Sequence, residues 1–228
     1  MIFLILYIID GILNLYAEQA NSQILLYATK ILLMPLLAVY FYQQTKNIKQ
    51  YAFIYCALFF SWLGDILLMF PRNEYQPETA KLFFIFGLIA FLIAHLNYSI
   101  HFVREVKDVP KATIIIEKPY LVLPFCAYGY AMLHILFPGL GTMKLPVVVY
   151  TIIILLMLMA AFNRKNIVRQ NSFLLVFFGA ALFVISDSCI AVNLFYKPFE
   201  LARFVIMLTY ITAQFLIVYG IIKSKEIN

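Results

Sequence analysis

Charged side chains are scarce in this sequence of 228 residues, of which 12% are charged and 64% are hydrophobic. Together with a mean hydropathy of +0.92, this composition excludes a water-soluble globular protein. The 8 glycines and 9 prolines are too few for a collagen-like or disordered chain. The 3 cysteines lie inside apolar runs and form no CxxC motif, which argues against both a disulfide framework and a zinc cage.

The abundant apolar residues form runs long enough to cross a bilayer, which takes about 17–25 residues in a helix. They predict an all-α polytopic membrane protein, a single domain over residues 1–228 in which eight transmembrane helices form one bundle. The predicted spans are Ile2–Ala17, Ile24–Tyr42, Tyr51–Phe70, Lys81–Phe102, Pro119–Phe137, Leu145–Phe162, Ser172–Phe195 and Glu200–Ile222. The longest connection between them is the charged stretch Val103–Lys118.

Basic residues predict the orientation of these spans, because cytoplasmic loops are enriched in Lys and Arg. Loops after even-numbered spans contain Lys46, Lys49, Arg104, Lys107, Lys111, Lys118, Arg164, Lys165, Arg169, Lys223 and Lys225, and the opposite side contains Arg72, Lys81, Lys144 and Lys197. Both termini are therefore expected in the cytoplasm. The net charge of +6 is assigned to these loops and their contacts with membrane lipids, and nucleic acid is not expected as a partner.

Five ionisable residues lie inside the predicted spans, namely Asp10, Lys30, Asp65, Asp187 and Arg203. At about 1.5 Å of rise per residue, all five lie within roughly 12 Å of the helix ends on the non-cytoplasmic side. A charge at the centre of a bilayer costs about 2.5–3.5 kcal/mol, so such residues usually face a bundle interior. We interpret them as the lining of a polar cavity, and a buried ion-pair network that only fixes helix packing is the alternative.

Polar side chains accompany these ionisable residues at helical spacing or as direct neighbours in the sequence. Residues three or four positions apart share a face of a helix, so these side chains are candidates for the same cavity. They are Asn14, Ser61, Ser186, Ser188, Tyr210 and Gln214.

Histidines raise the possibility of a zinc hydrolase, which the spacing does not support. His101 and His134 are expected at opposite ends of their spans, separated by most of the membrane. His95 lies inside the fourth span near Tyr98, where it is either a packing residue or a member of the polar cavity. Motifs of serine nucleophiles, nucleotide-binding loops and HExxH metalloproteases are absent from the sequence.

Asp65 and Asp187 remain as the two carboxyl groups best suited to catalysis. Two carboxyl groups that meet in a low-dielectric site can share one proton, which makes one of them an acid and the other a base. That pair suits reactions that begin with a difficult proton transfer and continue with attack by water. We expect Asp65 and Asp187 to meet in one pocket within the membrane, with Asp187, the deeper residue, preferred as the acid.

Five segments, in chain order, resemble the YhhN-like lysoplasmalogenase family. They are Lys30–Leu37 (KILLMPLL), Ser61–Asp65 (SWLGD), Phe91–Tyr98 (FLIAHLNY), Gly179–Ser188 (GAALFVISDS) and Thr209–Gln214 (TYITAQ). The resemblance implies hydrolysis of the vinyl-ether bond of a lysophospholipid, the lysoplasmalogen, with Asp65 and Asp187 as the catalytic pair and without a metal or organic cofactor. Asp10 is not part of the matching pattern.

The same resemblance suggests roles for the other polar residues of the spans. Lys30 and Arg203 are expected to hold the lipid phosphate, as partly desolvated cations do. For Lys30 a structural pair with Asp10 or Asp65 is the alternative, and for Arg203 it is a side chain that extends to the membrane surface. Side chains expected to orient water or the glycerol hydroxyl are Ser61, His95, Tyr210 and Gln214, and those that complete the lining are Asp10, Asn14, Tyr98, Ser186 and Ser188.

Two other functions fit a membrane bundle with buried aspartates. An intramembrane aspartyl protease also uses two aspartates on different helices, but its Gly-x-Gly-Asp and Pro-Ala-Leu strings are absent. A proton-coupled transporter also places acidic and basic residues on facing helices. Compact loops without organelle signals favour a bacterial cytoplasmic membrane, with a eukaryotic endomembrane as the alternative.

Overall fold

The computed structural model describes residues 1–69, 77–107, 109 and 112–224. Within these residues it contains 8 helices that are long and apolar enough to cross a membrane, which confirms the predicted all-α polytopic class. The α-helices are α1 (Ile2–Ala20), α2 (Gln23–Thr45), α3 (Ala52–Met69), α4 (Pro77–Lys107), α5 (Ile114–Glu117), α6 (Leu123–Leu136), α7 (Lys144–Phe162), α8 (Gln170–Phe195) and α9 (Ala202–Ser224). Short 3₁₀ turns at Pro119–Val122, Phe137–Gly139 and Gly141–Met143 flank α6 and precede α7.

The described part of the connection predicted at Val103–Lys118 contains more helix than expected. Helix α4 continues to Lys107, and the four-residue helix α5 lies within the same stretch. Amphipathic residues at the end of α4 extend the helix beyond the apolar run, because a helix does not end where hydrophobicity ends. The predicted residues Phe70, Arg72, Lys111 and Lys225 lie outside the described residues.

Pro35 and Pro124 lie inside predicted spans, where each is expected to kink its helix, and the structure places the two prolines differently. Pro35 lies inside α2, as predicted. Pro124 instead lies in the first turn of α6, where proline is tolerated because the N–H groups of that turn have no partner within the helix. The fifth span is therefore a 3₁₀ turn followed by an α-helix, and Pro124 does not interrupt it.

The chain divides into two compact units, Met1–Tyr98 and Ser99–Asn228, which are described in turn. In the first unit, Asn21 ends α1 in the left-handed conformation with φ 52°, which asparagine tolerates better than most residues. The two-residue turn that results places α1 and α2 side by side and antiparallel. The prediction that both units form a single bundle stays a prediction.

Helices α2 and α3 are joined at the position of Pro35. Proline lacks an N–H, so the carbonyl of Ile31, four residues earlier, loses its helical donor. The indole Nε1 of Trp62 on α3 donates to this carbonyl over 2.9 Å. This bond gives the carbonyl of Ile31 a hydrogen-bond donor and fixes Ile31 and Trp62 at the same depth. Lys30 and Asp65, which lie near them in the sequence, are therefore at similar depths.

Helices α3 and α4 approach closely beside Asp65. A Cβ atom on Gly64 would lie 2.6 Å from two ring carbons of Phe91 on α4, so only glycine permits this packing without a shift. The glycine of the SWLGD string is thus explained by the contact between the two helices.

In the second unit, helices α8 and α9 also pack through a glycine. A Cβ atom on Gly179 would lie 2.9 Å from the backbone nitrogen of Ile217 and 3.0 Å from the carbonyl oxygen of Ala213. Close contact between backbones is a common way for helices to associate in a membrane, where the hydrophobic effect does not drive them together. It holds the polar part of α8 against α9.

Candidate active site

The polar residues of α3 form the centre of the first cluster. Ser61 and Asp65 are one helical turn apart, and their side chains are both buried. Since residues four positions apart lie on the same face, the serine hydroxyl and the carboxyl group point to the same side of α3. The cluster in the first unit is built around this face.

A stripe on α1 contributes a second set of polar groups to this cluster. Tyr7, Asp10 and Asn14 are spaced i, i+3 and i+7, which places them on one side of the helix, and all three are buried. Tyr7 lies within electrostatic range of Asp10, Asp65 and Tyr98. The structure therefore brings three predicted site residues, from α1, α3 and α4, together around Tyr7.

Tyr7 is a member of this cluster that the sequence analysis missed. A phenol inside an apolar run carries no charge, so it was not selected with the five ionisable residues. Its position one turn before Asp10 is the signal that identifies it, because that spacing puts both side chains on one face.

Two oxygen atoms of the α1 stripe are buried without a hydrogen-bond donor among the described residues. They are Oδ2 of Asp10 and Oδ1 of Asn14. The amide Nδ2 of Asn14 does have a partner, since it donates to Oγ1 of Thr29 on α2 over 2.8 Å. Buried polar atoms without a partner are rare in proteins, so these two oxygens are places where a water molecule or a ligand hydroxyl could donate.

Lys30 and His95 are the nitrogen-bearing candidates of the first unit. Lys30 is half-buried on α2. Its predicted role as a contact for the lipid phosphate, with a structural pair with Asp10 or Asp65 as the alternative, stays a prediction. His95 is fully buried on α4, three residues before Tyr98, which is also fully buried.

In the second unit, three consecutive residues of α8 reach three different helices. Successive residues of a helix point about 100° apart, so Ser186, Asp187 and Ser188 face different neighbours. Oγ of Ser186 donates to the carbonyl of Ile206 on α9 over 3.0 Å. The hydroxyl groups of Tyr150 on α7 and Tyr128 on α6 bind Asp187 and Ser188, respectively.

The hydrogen bonds of Asp187 and Ser188 have defined directions. Tyr150 donates to Oδ2 of Asp187 over 2.5 Å. Ser188 uses its only hydroxyl hydrogen for the carbonyl of Val184, at 2.7 Å, so it accepts the bond from Tyr128, also at 2.7 Å. Neither tyrosine was among the predicted residues, because the sequence does not show which residue of another helix faces α8.

The predicted residues of α9 lie along the same helix but differ in exposure. Tyr210 and Gln214 are buried, and the ring of Tyr210 packs edge-on against Phe183 with centroids 5.4 Å apart. Arg203 lies in the first turn of α9 and is exposed. Tyr210 and Gln214 thus belong to the interior of the second unit, whereas Arg203 is at its surface.

A buried arginine at the ends of the helices is a further polar feature of the second unit. Nε of Arg164 lies 2.8 Å from Oε2 of Glu105, and its Nη2 donates to Oγ of Ser172 over 2.9 Å. Ser224 donates to the other oxygen of Glu105 over 3.0 Å. Arg164 is one of the basic loop residues that predict the orientation of the spans, but its side chain is completely buried.

The chemistry available in these clusters is that of carboxyl groups, hydroxyl groups and a cation. Within the described residues, His, Cys, Asp and Glu side chains form no group of three or more that could hold a metal ion. Asp65 and Asp187 can donate or accept protons, and Lys30 can bind an anion. That the two clusters line one cavity, as the sequence suggests, stays a prediction.

Comparison with known proteins agrees with the resemblance noted in the sequence. The model of the YhhN family matches residues 25–221. The chain is 28% identical to lysoplasmalogenase TMEM86A of Bos taurus over 177 residues, which are 76% of this chain and 66% of that protein. It is 31% identical to lysoplasmalogenase TMEM86B of Homo sapiens over 170 residues, which are 74% of this chain and 62% of that protein. No solved structure matches the chain.

Proposed function

The chain belongs to the YhhN family, and from that premise we propose that it is a lysoplasmalogenase. Its substrate is a lysoplasmalogen, and its products are a fatty aldehyde and glycerophosphoethanolamine or glycerophosphocholine. The observation that carries the proposal is a pair of aspartates inside membrane spans of such a chain. Asp65 is buried on α3. Asp187, on α8, accepts a hydrogen bond from Tyr150 on α7.

The first proposed step is protonation of the vinyl ether. One aspartic acid transfers its proton to the vinyl carbon that does not bear oxygen, which leaves an oxocarbenium ion and a carboxylate. General acid catalysis of this kind contributes about 10²–10⁴-fold to a rate. The second aspartate, already ionised, stabilises the cation through its negative charge.

The second proposed step is attack by water. The second aspartate accepts a proton from water while the oxygen of that water bonds to the oxocarbenium carbon. The product is a hemiacetal. The hemiacetal then collapses: its hydroxyl proton returns to the first aspartate, and the second aspartate protonates the departing glycerol oxygen. Both aspartates end in their starting protonation states, and the steps require only the two carboxyl groups and water.

The hydrogen bond from Tyr150 supports an assignment of these roles. A phenol that donates to a carboxylate oxygen stabilises the ionised form, because that form is a pure acceptor. We therefore assign the base to Asp187 and the acid to Asp65, which reverses the preference based on depth alone. The phenol also fixes the orientation of the Asp187 carboxylate.

The remaining polar residues are proposed to bind the substrate. Lys30 holds the phosphate, because it is a half-buried cation at about the depth of Asp65. The buried oxygens of Asp10 and Asn14 accept hydrogen bonds from water or the glycerol hydroxyl. Proposed to orient these groups are Ser61, His95, Tyr98, Ser186, Ser188, Tyr210 and Gln214, and Arg203 is proposed as a second contact for the phosphate at the surface.

The location of the protein in a membrane follows from its helices, and the kind of membrane and the orientation are proposed. The protein is an integral multi-pass membrane protein, since its described residues include 8 helices suited to spanning a bilayer. We propose that this membrane is a bacterial cytoplasmic membrane with both termini in the cytoplasm, as the distribution of basic residues indicates.

The proposal is tested with purified protein in detergent, by measuring aldehyde release from a lysoplasmalogen. Asp65→Asn and Asp187→Asn are each expected to lower the rate by about a thousandfold, within the range of general acid–base catalysis. Circular dichroism checks that both variants keep their helices.

Glu117→Gln serves as the matched control, since it makes the same change from a carboxyl group to an amide at an exposed position on α5. Release of aldehyde by both asparagine variants at the wild-type rate would refute the assignment of the catalytic pair. If the wild-type protein releases no aldehyde from any vinyl-ether lysolipid, the proposed activity is wrong and a transporter is favoured.

A further inference from the structure

An apolar groove runs between α2 and α3 in the first unit. Its volume is about 240 Å³. Met34, Pro35 and Ala38 line it on α2. Tyr55, Leu58, Phe59 and Trp62 line it on α3. The groove is therefore a feature of one unit and is formed by hydrocarbon and aromatic side chains.

Pro35 lines the groove, and a proline inside a helix usually leaves the backbone carbonyl four residues earlier without a hydrogen-bond donor. In this groove that carbonyl is not exposed. The carbonyl of Ile31 would lack a donor at this point of α2, and Trp62 supplies one at 2.9 Å. The indole thus uses its single polar atom against the backbone and presents its ring to the groove. Such a surface suits a hydrocarbon chain, which offers no hydrogen bonds in return.

The same helix faces that line the groove continue to two polar residues. On α2, Lys30 precedes Met34 by one turn, and Met34 precedes Ala38 by another. On α3, Leu58, Trp62 and Asp65 are spaced i, i+4 and i+7. At about 1.5 Å per residue, the groove residues of α2 lie roughly 6–12 Å along the helix from Lys30.

We propose that this groove binds the hydrocarbon chain of a single-chain phospholipid, with its phosphate at Lys30 and its ether bond beside Asp65. Lys30 and Asp65 lie at similar depths beyond the same end of the groove, so the polar part of the lipid lies at that end and its chain lies in the groove. The identity of the reactive bond rests on the proposed function, whereas the binding of the chain does not.

The groove acts mainly by positioning the substrate. A lipid chain gains little from moving out of a bilayer into an apolar groove, because both surroundings are equally apolar. Contacts with the groove instead hold the chain in one register, and holding reactants in the correct geometry accelerates a reaction. A side chain that shortens the groove is therefore expected to discriminate between long and short lipid chains.

The fluorescence of Trp62 offers a direct measurement of binding, because Trp62 is the single tryptophan of the sequence and lines the groove. The probe is a lysophosphocholine with a saturated ether bond and bromine atoms in the middle of its chain, added to protein in phosphatidylcholine nanodiscs. Bromine quenches indole fluorescence on contact. We expect saturable quenching, which a brominated diacyl phosphatidylcholine does not reproduce at the same mole fraction.

Two alanines of α2 provide matched variants. Ala38→Leu fills the groove, and we expect it to raise the mole fraction of probe for half-maximal quenching about fivefold to tenfold. Ala28→Leu makes the same change at an exposed position outside the groove and is expected to leave quenching unchanged. Lys30→Gln is expected to weaken the binding of the phosphocholine probe but not that of a brominated long-chain alcohol.

Three outcomes would overturn the proposal. The first is equal quenching by the diacyl lipid, which would assign the groove to ordinary bilayer lipid. The second is quenching that rises without saturation, and the third is an equal response of Ala38→Leu and Ala28→Leu. The probe has no vinyl bond and tests binding alone, so aldehyde release is measured separately with a lysoplasmalogen. Saturable binding of the probe with no aldehyde release from the lysoplasmalogen would refute the proposed function alone, whereas aldehyde release without saturable binding of the probe would refute the groove alone.

Discussion

In the second unit, Ser186, Asp187 and Ser188 each have a hydrogen-bond partner on another helix. In the first unit, by contrast, one oxygen of Asp10 and one of Asn14 are buried without a donor among the described residues. Both units contain polar residues inside membrane spans, so composition alone does not distinguish them. Paired groups hold helices in place, and buried acceptors without a donor can receive a ligand. We infer that α8 provides a fixed catalytic group and that α1 provides part of the binding surface.

The largest expected effect on stability comes from the buried arginine of the second unit. Arg164→Met leaves Glu105 without its cation, and removal of one partner from a buried ion pair costs about 3–5 kcal/mol. Thermal unfolding in detergent is the measurement, and the transition should move to a clearly lower temperature. Arg169→Met, at an exposed arginine near α8, is the control and should change the transition little.

A double variant sharpens this prediction. Arg164→Met combined with Glu105→Gln removes the uncompensated carboxylate and should recover part of the lost stability. An unfolding temperature of Arg164→Met equal to that of the wild type would mean that the buried pair does not stabilise the second unit.

The next effect concerns the hydrogen bond between Tyr150 and Asp187. A hydrogen bond to a charged group contributes about 1.5–3 kcal/mol, so Tyr150→Phe should lower kcat for aldehyde release about 10–100-fold. KM should change little, because the phenol acts on the carboxylate and not on the lipid. Steady-state kinetics with a lysoplasmalogen provide both constants.

Tyr128→Phe is the matched control for Tyr150→Phe. It removes a phenol that donates to the neighbouring residue Ser188, a neutral acceptor, and should lower kcat less than tenfold. If the two phenylalanine variants have the same kcat, Tyr150 has no special role in positioning Asp187.

The smallest expected change in stability is that of substitutions in the polar stripe of α1, in the first unit. Asp10→Leu removes a buried carboxyl oxygen that has no donor in the described part of the chain, so stability should remain unchanged or increase by about 1 kcal/mol. Asn14→Leu breaks the bond to Thr29 and should instead lower stability by about 1 kcal/mol. Thermal unfolding compares the two variants, and aldehyde release should fall in both.

The opposite order of stability would contradict the interpretation of the α1 stripe. If Asp10→Leu destabilises the protein more than Asn14→Leu does, the carboxyl group of Asp10 supports the fold, and the contrast between the two units is lost.

The sequence predicted the positions of the eight spans because a membrane helix requires a long apolar run, which can be recognised locally. It was less accurate at Val103–Lys118, where α4 continues and α5 forms among charged residues. Pro124 was misassigned as a kink because its position within the helix depends on where the helix begins. Local composition does not determine that point.

The candidate site was predictable to a similar, limited degree. Asp10, Asp65 and Asp187 were identifiable because a carboxyl group inside an apolar run is costly and therefore conspicuous. Tyr7 and Tyr150 were not identifiable in the same way, because an uncharged phenol is common in a membrane span. Their importance depends on which residue of another helix they face.

The sequence by itself determined that the protein consists of apolar membrane-spanning helices that carry a few ionisable residues, since insertion depends on each segment separately. Only the tertiary structure decided which of those residues are paired. Tyr150 reaches Asp187 from a helix 37 positions away, and Trp62 reaches Ile31 from 31 positions away. Such contacts depend on how helices pack against one another, and that packing is not encoded in any single segment.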